Sequence, residues 1–324
     1  MPLRATVLSE RFAVALDTLW PEGRRDPQAR LGLAVSGGPD SLALLLLAAS
    51  ALPGRVEVAT VDHRLRAASA AEAAEVAHLC ESLGVPHSTL AVAVAPGNVQ
   101  AEARRARYGA LAQWIEARGL AALVTAHHAD DQAETLLLRL NRASGVAGLA
   151  GTRARGTVPD SEIPLLRPLL GWRRAELAAI VDEAGIVAAQ DPSNSDDRFD
   201  RARLRKALRD AEWLDIEAIA ESASHLADAD AALDWAAHRE WREAVRTEGP
   251  AMIYRPQAPR AVAVRVLARV VARLDGEEPR GSAVARLFAG LVAGQTCSIG
   301  NLVARPSFDG WTFTPAPKRR PPKD

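Results

Sequence analysis

LGLAVSGGPDSLALLLLAAS, residues 31–50, is the stretch whose reading decides the fold. GLAVS (32–36) is a short apolar run that reads as a strand, and residues 40–51 read as a buried apolar helix. Between them stand Ser36, Gly37, Gly38, Pro39, Asp40 and Ser41. Strand, glycine-rich turn and helix together make an anion-binding loop. The helix start presents unpaired N–H groups and the positive end of a dipole. Glycines let the backbone approach a phosphate and adopt φ > 0. Ser36 and Ser41 add hydroxyl donors. Neither GxxxxGK[ST] nor GxGxxG is present. A lone carboxylate beside phosphates would repel them, so Asp40 implies a divalent cation bridging the two.

Outward from this loop the strand–helix rhythm continues. VEVATVDH (56–63), HSTLAVAV (87–94) and ALVTAHH (122–128) read as strands. Residues 69–83, 99–118 and 130–142 read as helices. Apolar strands alternating with helices predict a Rossmann-like α/β fold, a parallel sheet with helices on both faces. After residue 143 come a glycine-rich loop, a helix at 173–185 and a polar turn leading into the basic helix RFDRARLRKALRD. A long alanine-rich helical stretch follows from about 215 to Thr247, then helices near 257–273 and 281–292 and short strands near 296–313. The expected domains are a catalytic one at 1–215, a smaller, mainly helical one at 216–315 and a basic tail at 316–324.

Composition narrows the function classes. Lys+Arg and Asp+Glu both total 40 in 324 residues, so net charge does not announce an anionic partner. Lysine occurs only at Lys206, Lys318 and Lys323, and abundant alanine with arginine is what a GC-rich genome encodes. The two cysteines, Cys80 and Cys297, form no paired motif, which argues against a disulfide framework or a Cys-based metal centre and fits a reducing cytoplasm. The longest apolar run is about a dozen residues, too short for a bilayer. The trio Trp213, Trp235 and Trp241 reads as core rather than as a base-stacking platform.

SGGPDS resembles the signature of the N-type ATP pyrophosphatases, which cleave ATP to AMP and pyrophosphate. Four further stretches resemble the tRNA(Ile)-lysidine synthetases within that superfamily. They are TVDHRLRAAS (60–69), AEARRARYGAL (101–111) with Arg104, Arg107 and Tyr108, TAHHADDQAET (125–135), and LLRLNRASGVAGLAG followed by RPLL (167–170) and DPSN (191–194). Ala143 stands where the family has glycine, and Ala202 where its RNxxR pattern has asparagine. The resemblance spans about residues 30–210.

This resemblance implies ATP and Mg²⁺ as cofactors, and CAU-anticodon tRNA(Ile) and free L-lysine as partners. It implies that Ser36, Gly37, Gly38, Pro39, Asp40, Ser41, Asp62 and His63 hold the nucleotide. Asp40 and Asp131 (or Asp130) would hold the metal, and His127 would orient or stabilise charge, with His128 an equal candidate. Arg104 or Arg107 would meet the lysine carboxylate. Arg201, Arg203 and Arg205 would meet the tRNA backbone, and the mainly helical domain at 216–315 would bind tRNA as well. The oligomeric state stays open, a homodimer included. A cytidine-thiolating enzyme relies on paired cysteines, absent here. A non-catalytic ATP-binding module has little use for HHADD.

Overall fold

A computed structural model describes residues 2–63, 69–93, 99–189, 200–209, 211 and 213–316. The chain parts into two compact units, 1–227 and 228–324.

The first unit carries α1 (Pro2–Leu19), α2 (Pro21–Arg25), β1 (Leu31–Ala34), α3 (Pro39–Ala51), β2 (Val56–Asp62), α4 (Ser69–Ser82), β3 (His87–Ala91), α5 (Val99–Arg118), β4 (Ala122–Val124), α6 (Ala129–Leu140), α7 (Val146–Leu149), β5 (Arg155–Thr157), β6 (Pro164–Leu166), α8 (Arg174–Glu183) and α9 (Asp200–Arg209). Its six strands lie in the order β3-β2-β1-β4-β6-β5. All neighbours run parallel except β5, which closes one edge against β6. β1 sits centrally because it is apolar on both faces: Leu31 and Leu33 are fully buried, and Gly32 lets α5 approach closely. A Cβ at Gly32 would stand 2.3 Å from the Ile115 Cδ1 and 2.5 Å from the Trp114 ring.

Alternating residues feed two cores. Val58, Ala122, Val124 and Leu166 pack with the leucines of α3, Phe12 and Leu16 of α1, Val76 and Cys80 of α4, and Leu177 of α8. Their neighbours Ala59, Leu123 and Leu165 pack with Tyr108, Leu111, Trp114 and Ile115 of α5. Helices thus cover both faces, as the apolar strands require. Cys80 is fully buried, and burial pushes its thiol up to about 12.

β2 also carries a carboxylate, Glu57, that is 2% exposed. Arg30 and Arg118 bracket it, the latter through Nε at 2.8 Å.

α10 (Ile216–Ala244) includes residue 227, where the first compact unit ends, whereas the expected catalytic domain ends at 215. The second unit then adds β7 (Val245–Glu248), β8 (Ala251–Tyr254), α11 (Arg260–Asp275), α12 (Gly281–Val292), β9 (Cys297–Ile299), β10 (Leu302–Ser307) and β11 (Gly310–Pro315). Its sheet is antiparallel, in the order β7-β8-β11-β10-β9. The helix expected to reach Thr247 gives way at Val245 instead. Gly249, at φ +57, turns the chain, and the flanking β-branched residues pair as a hairpin. Met252, Tyr254, Val266, Val270, Leu287 and Phe313 form this unit's core. Two of the three tryptophans expected in a core are outside one: Trp213 is 82% and Trp235 68% exposed, while Trp241 is partly buried against the second core. The basic tail lies outside the described residues beyond Ala316.

Replacing both Arg30 and Arg118 by alanine should destabilise the protein, because Glu57 stays buried without a partner. Glu57→Met, which removes the buried charge itself, should stay within about 1 kcal/mol of the parent. Urea unfolding of the two variants measures the contrast; equal losses would contradict it.

Candidate active site

The site lies at the C-terminal ends of β1, β2 and β4, where the chain leaves the central strand in opposite directions and open α/β sheets bind ligands. A cavity of about 580 Å³ opens there. One wall is the loop between β1 and α3. Gly37 sits at φ +83, which explains the first glycine, while Gly38 has an ordinary φ of −74 and serves by lacking a side chain at the cavity wall. Ser36 N–H donates to Ser41 Oγ at 3.1 Å, and Ser41 Oγ–H donates to the Gly38 carbonyl at 2.9 Å. These bonds close the loop around the first turn of α3. Ala189 N–H donates to the Gly37 carbonyl at 2.9 Å, pinning the loop from outside. Ser36, Gly38, Pro39, Asp40, Ser41 and His63 line the cavity. Gly37 and Asp62 do not; Asp62 accepts from Ser69 Oγ at 2.6 Å at the end of β2.

The HHADD stretch forms the floor and start of α6, and it separates two histidines that sequence could not rank. His128 is fully buried. Its Nε2 lies 3.5 Å from both Asp40 Oδ2 and Asp131 Oδ2, and its Nδ1 lies 3.5 Å from Asp130 Oδ2. Burial opposes a charge on this ring, but the carboxylates outweigh it and lift the imidazole to about 9. His127 faces the cavity with Nδ1 3.0 Å from Thr125 Oγ1. Burial pushes its pKa well below the usual imidazole value; Asp131 opposes that shift, and Arg167, Arg107 and Arg104 reinforce it. His127 is therefore neutral and His128 charged near pH 7.

The two aspartates also part company. Asp131 lines the cavity. Asp130 does not: it accepts from Arg174 N–H at 2.8 Å and lies 3.4 Å from the Arg173 guanidinium. Burial raises its pKa, but His128, the Arg174 N–H and Arg173 outweigh that and hold it well below the carboxylate range. Asp40 Oδ1 is buried without a hydrogen-bond partner. That orphaned oxygen and Asp131 are hard donors of the kind Mg²⁺ takes one or two at a time, leaving its other positions to water and phosphate. Among the described residues no group of three or more His, Cys, Asp or Glu is placed to hold a metal ion. The arrangement fits Mg²⁺ arriving with a nucleotide better than a closed transition-metal site.

The opposite wall is cationic. Arg104 and Arg107, three residues apart on α5, both line the cavity, with guanidinium carbons 4.8 and 5.0 Å from the Tyr108 ring centroid. Arg201 lines it too. α9 is docked on α6 by charge. Arg205 Nε donates to Glu134 Oε1 at 2.5 Å, and its Nη2 lies 3.7 Å from Asp131 Oδ1. Arg201 Nε lies 3.5 Å from Glu134 Oε2. Arg203 is exposed and pairs with Asp200 on its own helix. Ala202, where the family pattern has asparagine, is buried.

Residues 8–212 match the family model described as a PP-loop domain. The tRNA(Ile)-lysidine synthase of Novosphingobium aromaticivorans is 51% identical over 91% of this chain and 91% of its own length. That of Zymomonas mobilis is 39% identical over 90% of each. The chain belongs to the tRNA(Ile)-lysidine synthase family. Among solved structures, the U34-tRNA thiolase NcsA from Methanococcus maripaludis is similar with a TM-score of 0.55 at 12% identity, over 68% of this chain and 78% of that one, a likeness of fold.

Against the family's pattern, Ala143 gains a meaning. It sits at φ +52, the left-handed region where glycine is at ease. The far end of the loop is clamped: Gln132 Nε2 donates to the Thr152 carbonyl at 2.8 Å, and Thr152 N–H donates to Gln132 Oε1 at 2.7 Å. Gly151 at φ +63 leaves room for that side chain. The DPSN stretch and residues 64–68 of the second-strand motif lie outside the described residues. Sequence reasoning passed over Glu134, although it stood three residues after Asp131 and hence on the same helix face.

Ala143→Gly should raise stability by about 1 kcal/mol, read by thermal or urea unfolding. A loss would show that the strain is relieved elsewhere. Arg205→Ala leaves Glu134 buried without its closest partner and should cost about 3 kcal/mol, whereas Arg203→Ala should cost less than about 0.5 kcal/mol. The same unfolding measurements test both, and similar costs would overturn the distinction.

Proposed function

We propose that this chain ligates free L-lysine to C2 of the wobble cytidine of a CAU-anticodon tRNA(Ile), with ATP, giving lysidine, AMP and pyrophosphate. The observation that carries this reading is the 51% identity to a tRNA(Ile)-lysidine synthase across nine-tenths of both chains. The cavity supports it, because one space is lined by an anion-binding loop, the carboxylates of Asp40, Glu72 and Asp131, and three arginines.

In the first step the C2 oxygen of cytidine attacks the α-phosphorus of ATP. The bond to the bridging oxygen breaks and pyrophosphate leaves, giving an adenylated tRNA. The N–H groups at the start of α3 and the hydroxyl of Ser36 stabilise the departing charge, while Ser41 holds the loop closed. Asp40 and Asp131 would hold Mg²⁺, which neutralises phosphate charge when bound. In the second step the ε-amine of lysine attacks C2 and AMP leaves. The amine must shed protons, and neutral His127 on the cavity wall is placed to accept one. Charged His128 does not face the substrate space; it holds Asp40 and Asp131 in place. Arg104 or Arg107 meets the lysine carboxylate. The cytidine is unstacked to enter the pocket, while phosphate contacts position the tRNA. Of the basic helix, Arg203 is exposed beside its partner Asp200, Arg201 borders the cavity, and Arg205 is engaged with Glu134 and Asp131. No helix among the described residues is long and apolar enough to cross a membrane. The reading places the enzyme in the cytoplasm with its tRNA.

Purified protein with ATP, Mg²⁺ and radiolabelled lysine should label a CAU-anticodon tRNA(Ile) transcript and leave elongator tRNA(Met) unlabelled. tRNA-dependent AMP formation without label would retain adenylation and change the nucleophile. Asp40→Ala should lower ATP–pyrophosphate exchange at least about 100-fold, the scale of lost transition-state charge stabilisation, with unchanged circular dichroism. Retained exchange would refute its role.

A further inference from the structure

Behind the cavity wall stands a cation that the two reaction steps leave unused. Arg167 directly follows β6, at the strand ends where the cavity opens. It is only 9% exposed and does not line the cavity. Its backbone N–H donates to the Ala154 carbonyl at 2.9 Å, and its Nη1 donates to the Arg153 carbonyl at 2.6 Å. Main chain thus fixes the guanidinium. Its Nε is buried without a hydrogen-bond partner, and no carboxylate among the described residues pairs with it. Burial pushes its pKa down; Tyr108 opposes that shift and Arg104 reinforces it. A guanidinium nevertheless keeps its charge.

Tyr108 links Arg167 to the cavity. Its side chain is 1% exposed, and it borders the cavity. Its buried hydroxyl faces Arg167 without completing a hydrogen bond. Arg104 and Arg107 lie against the same ring, at the distances given above, and both line the cavity. Three guanidinium groups therefore meet around one phenol. Among the described residues none of the three pairs with a carboxylate, whereas Arg105 on the same helix pairs with Glu102 at 3.0 Å. The charge of Arg167 also bears on His127 more than that of either cavity arginine. Like charges gathered without a counter-charge are costly to hold, and such costs collect at functional sites. The wall is short of one anion. Phosphates have the loop at the start of α3 for that purpose. A carboxylate fits the fork of a guanidinium.

We propose that Arg167 is a positioning residue for lysine capture: fixed behind Tyr108, it holds that ring, and the Arg104 and Arg107 guanidinium groups against it, as a wall whose missing counter-charge is the α-carboxylate of free lysine. This deepens the proposed function and rests on it. Arg167 touches no substrate. It acts through Tyr108 and through its field, which carries farther in a low-dielectric interior than in water. Its part belongs to the second step, because the first depends on the loop and the carboxylates across the cavity.

The test uses full-length protein and a CAU-anticodon tRNA(Ile) transcript. It reads tRNA-dependent ATP–pyrophosphate exchange without lysine, and KM for radiolabelled lysine in the complete reaction. Arg167→Met should raise KM for lysine about tenfold and leave exchange within about threefold of the parent. Arg167→Lys keeps the charge and should recover most of the lysine affinity, which a loss of packing alone would not allow. Tyr108→Phe keeps the ring but removes the hydroxyl that faces Arg167, and should raise KM for lysine about threefold; it decides the matter if Arg167→Met does not fold. Arg105→Ala removes an equal charge from α5 outside the cavity and should leave KM for lysine within about twofold. If Arg167→Met leaves KM for lysine unchanged, or lowers exchange as much as lysine transfer, the positioning role is refuted while the proposed function stands. If Arg167→Lys is no better than Arg167→Met, or Arg105→Ala is as harmful, the charge at this place is not what matters and the role is likewise refuted. If the parent attaches no lysine to the transcript, the underlying functional reading fails, and this inference with it.

Discussion

A buried imidazole with three carboxylates around it is the constraint on which the catalytic unit depends. His128 sits at the start of α6 with no exposure, and each carboxylate ties it to a different element. Asp40 brings in the phosphate loop and α3. Asp130 brings in α8 through Arg173 and Arg174. Asp131 brings in α9 through Arg205. Taking one charge from this cluster would leave the others desolvated and repelling one another, so the set persists only as a whole. Asp40 keeps one buried oxygen without a hydrogen-bond partner, and Asp40 and Asp131 both line the cavity beside the loop.

The sheet supplies the second condition. Apolar strands with residues alternating between two cores need helices on both faces, and such a sheet offers its open crevice at the strand ends. The cavity therefore falls beside the loop and the HHADD stretch by topology, whatever the side chains do. α9 contributes through charge: its arginines reach back to Glu134 and Asp131, so the basic helix belongs partly to the site.

Much of this was legible in the sequence. Strand and helix periods in residues 31–140 gave elements close to those observed, because long apolar runs leave one way to be buried. The phosphate loop was legible because glycine, proline and hydroxyl residues have few other uses between a strand and a helix. The ranking of His127 and His128 was not, since adjacent residues differ only in which side of a turn they face. Asp130 read like Asp131 until Arg173, more than forty positions away, took it. Trp235 read as core because tryptophan usually is; its exposure depends on how α10 packs, which a helical pattern rich in alanine does not encode. The hairpin at 245–254 was hidden because its first strand continues the helix's polar rhythm, and Gly249 was the one visible punctuation.

The sulfur chemistry of the chain has a corollary. Cys80 lies deep against α3 and β2, and its thiol stays protonated because burial raises its pKa to about 12. A protonated, shielded thiol is no nucleophile and a poor target for peroxide or alkylating agents. The other cysteine, Cys297, belongs to the second unit and is partly exposed. The catalytic half is thus chemically silent toward thiol reagents, and an electrophile added to the native protein reports on the other half alone.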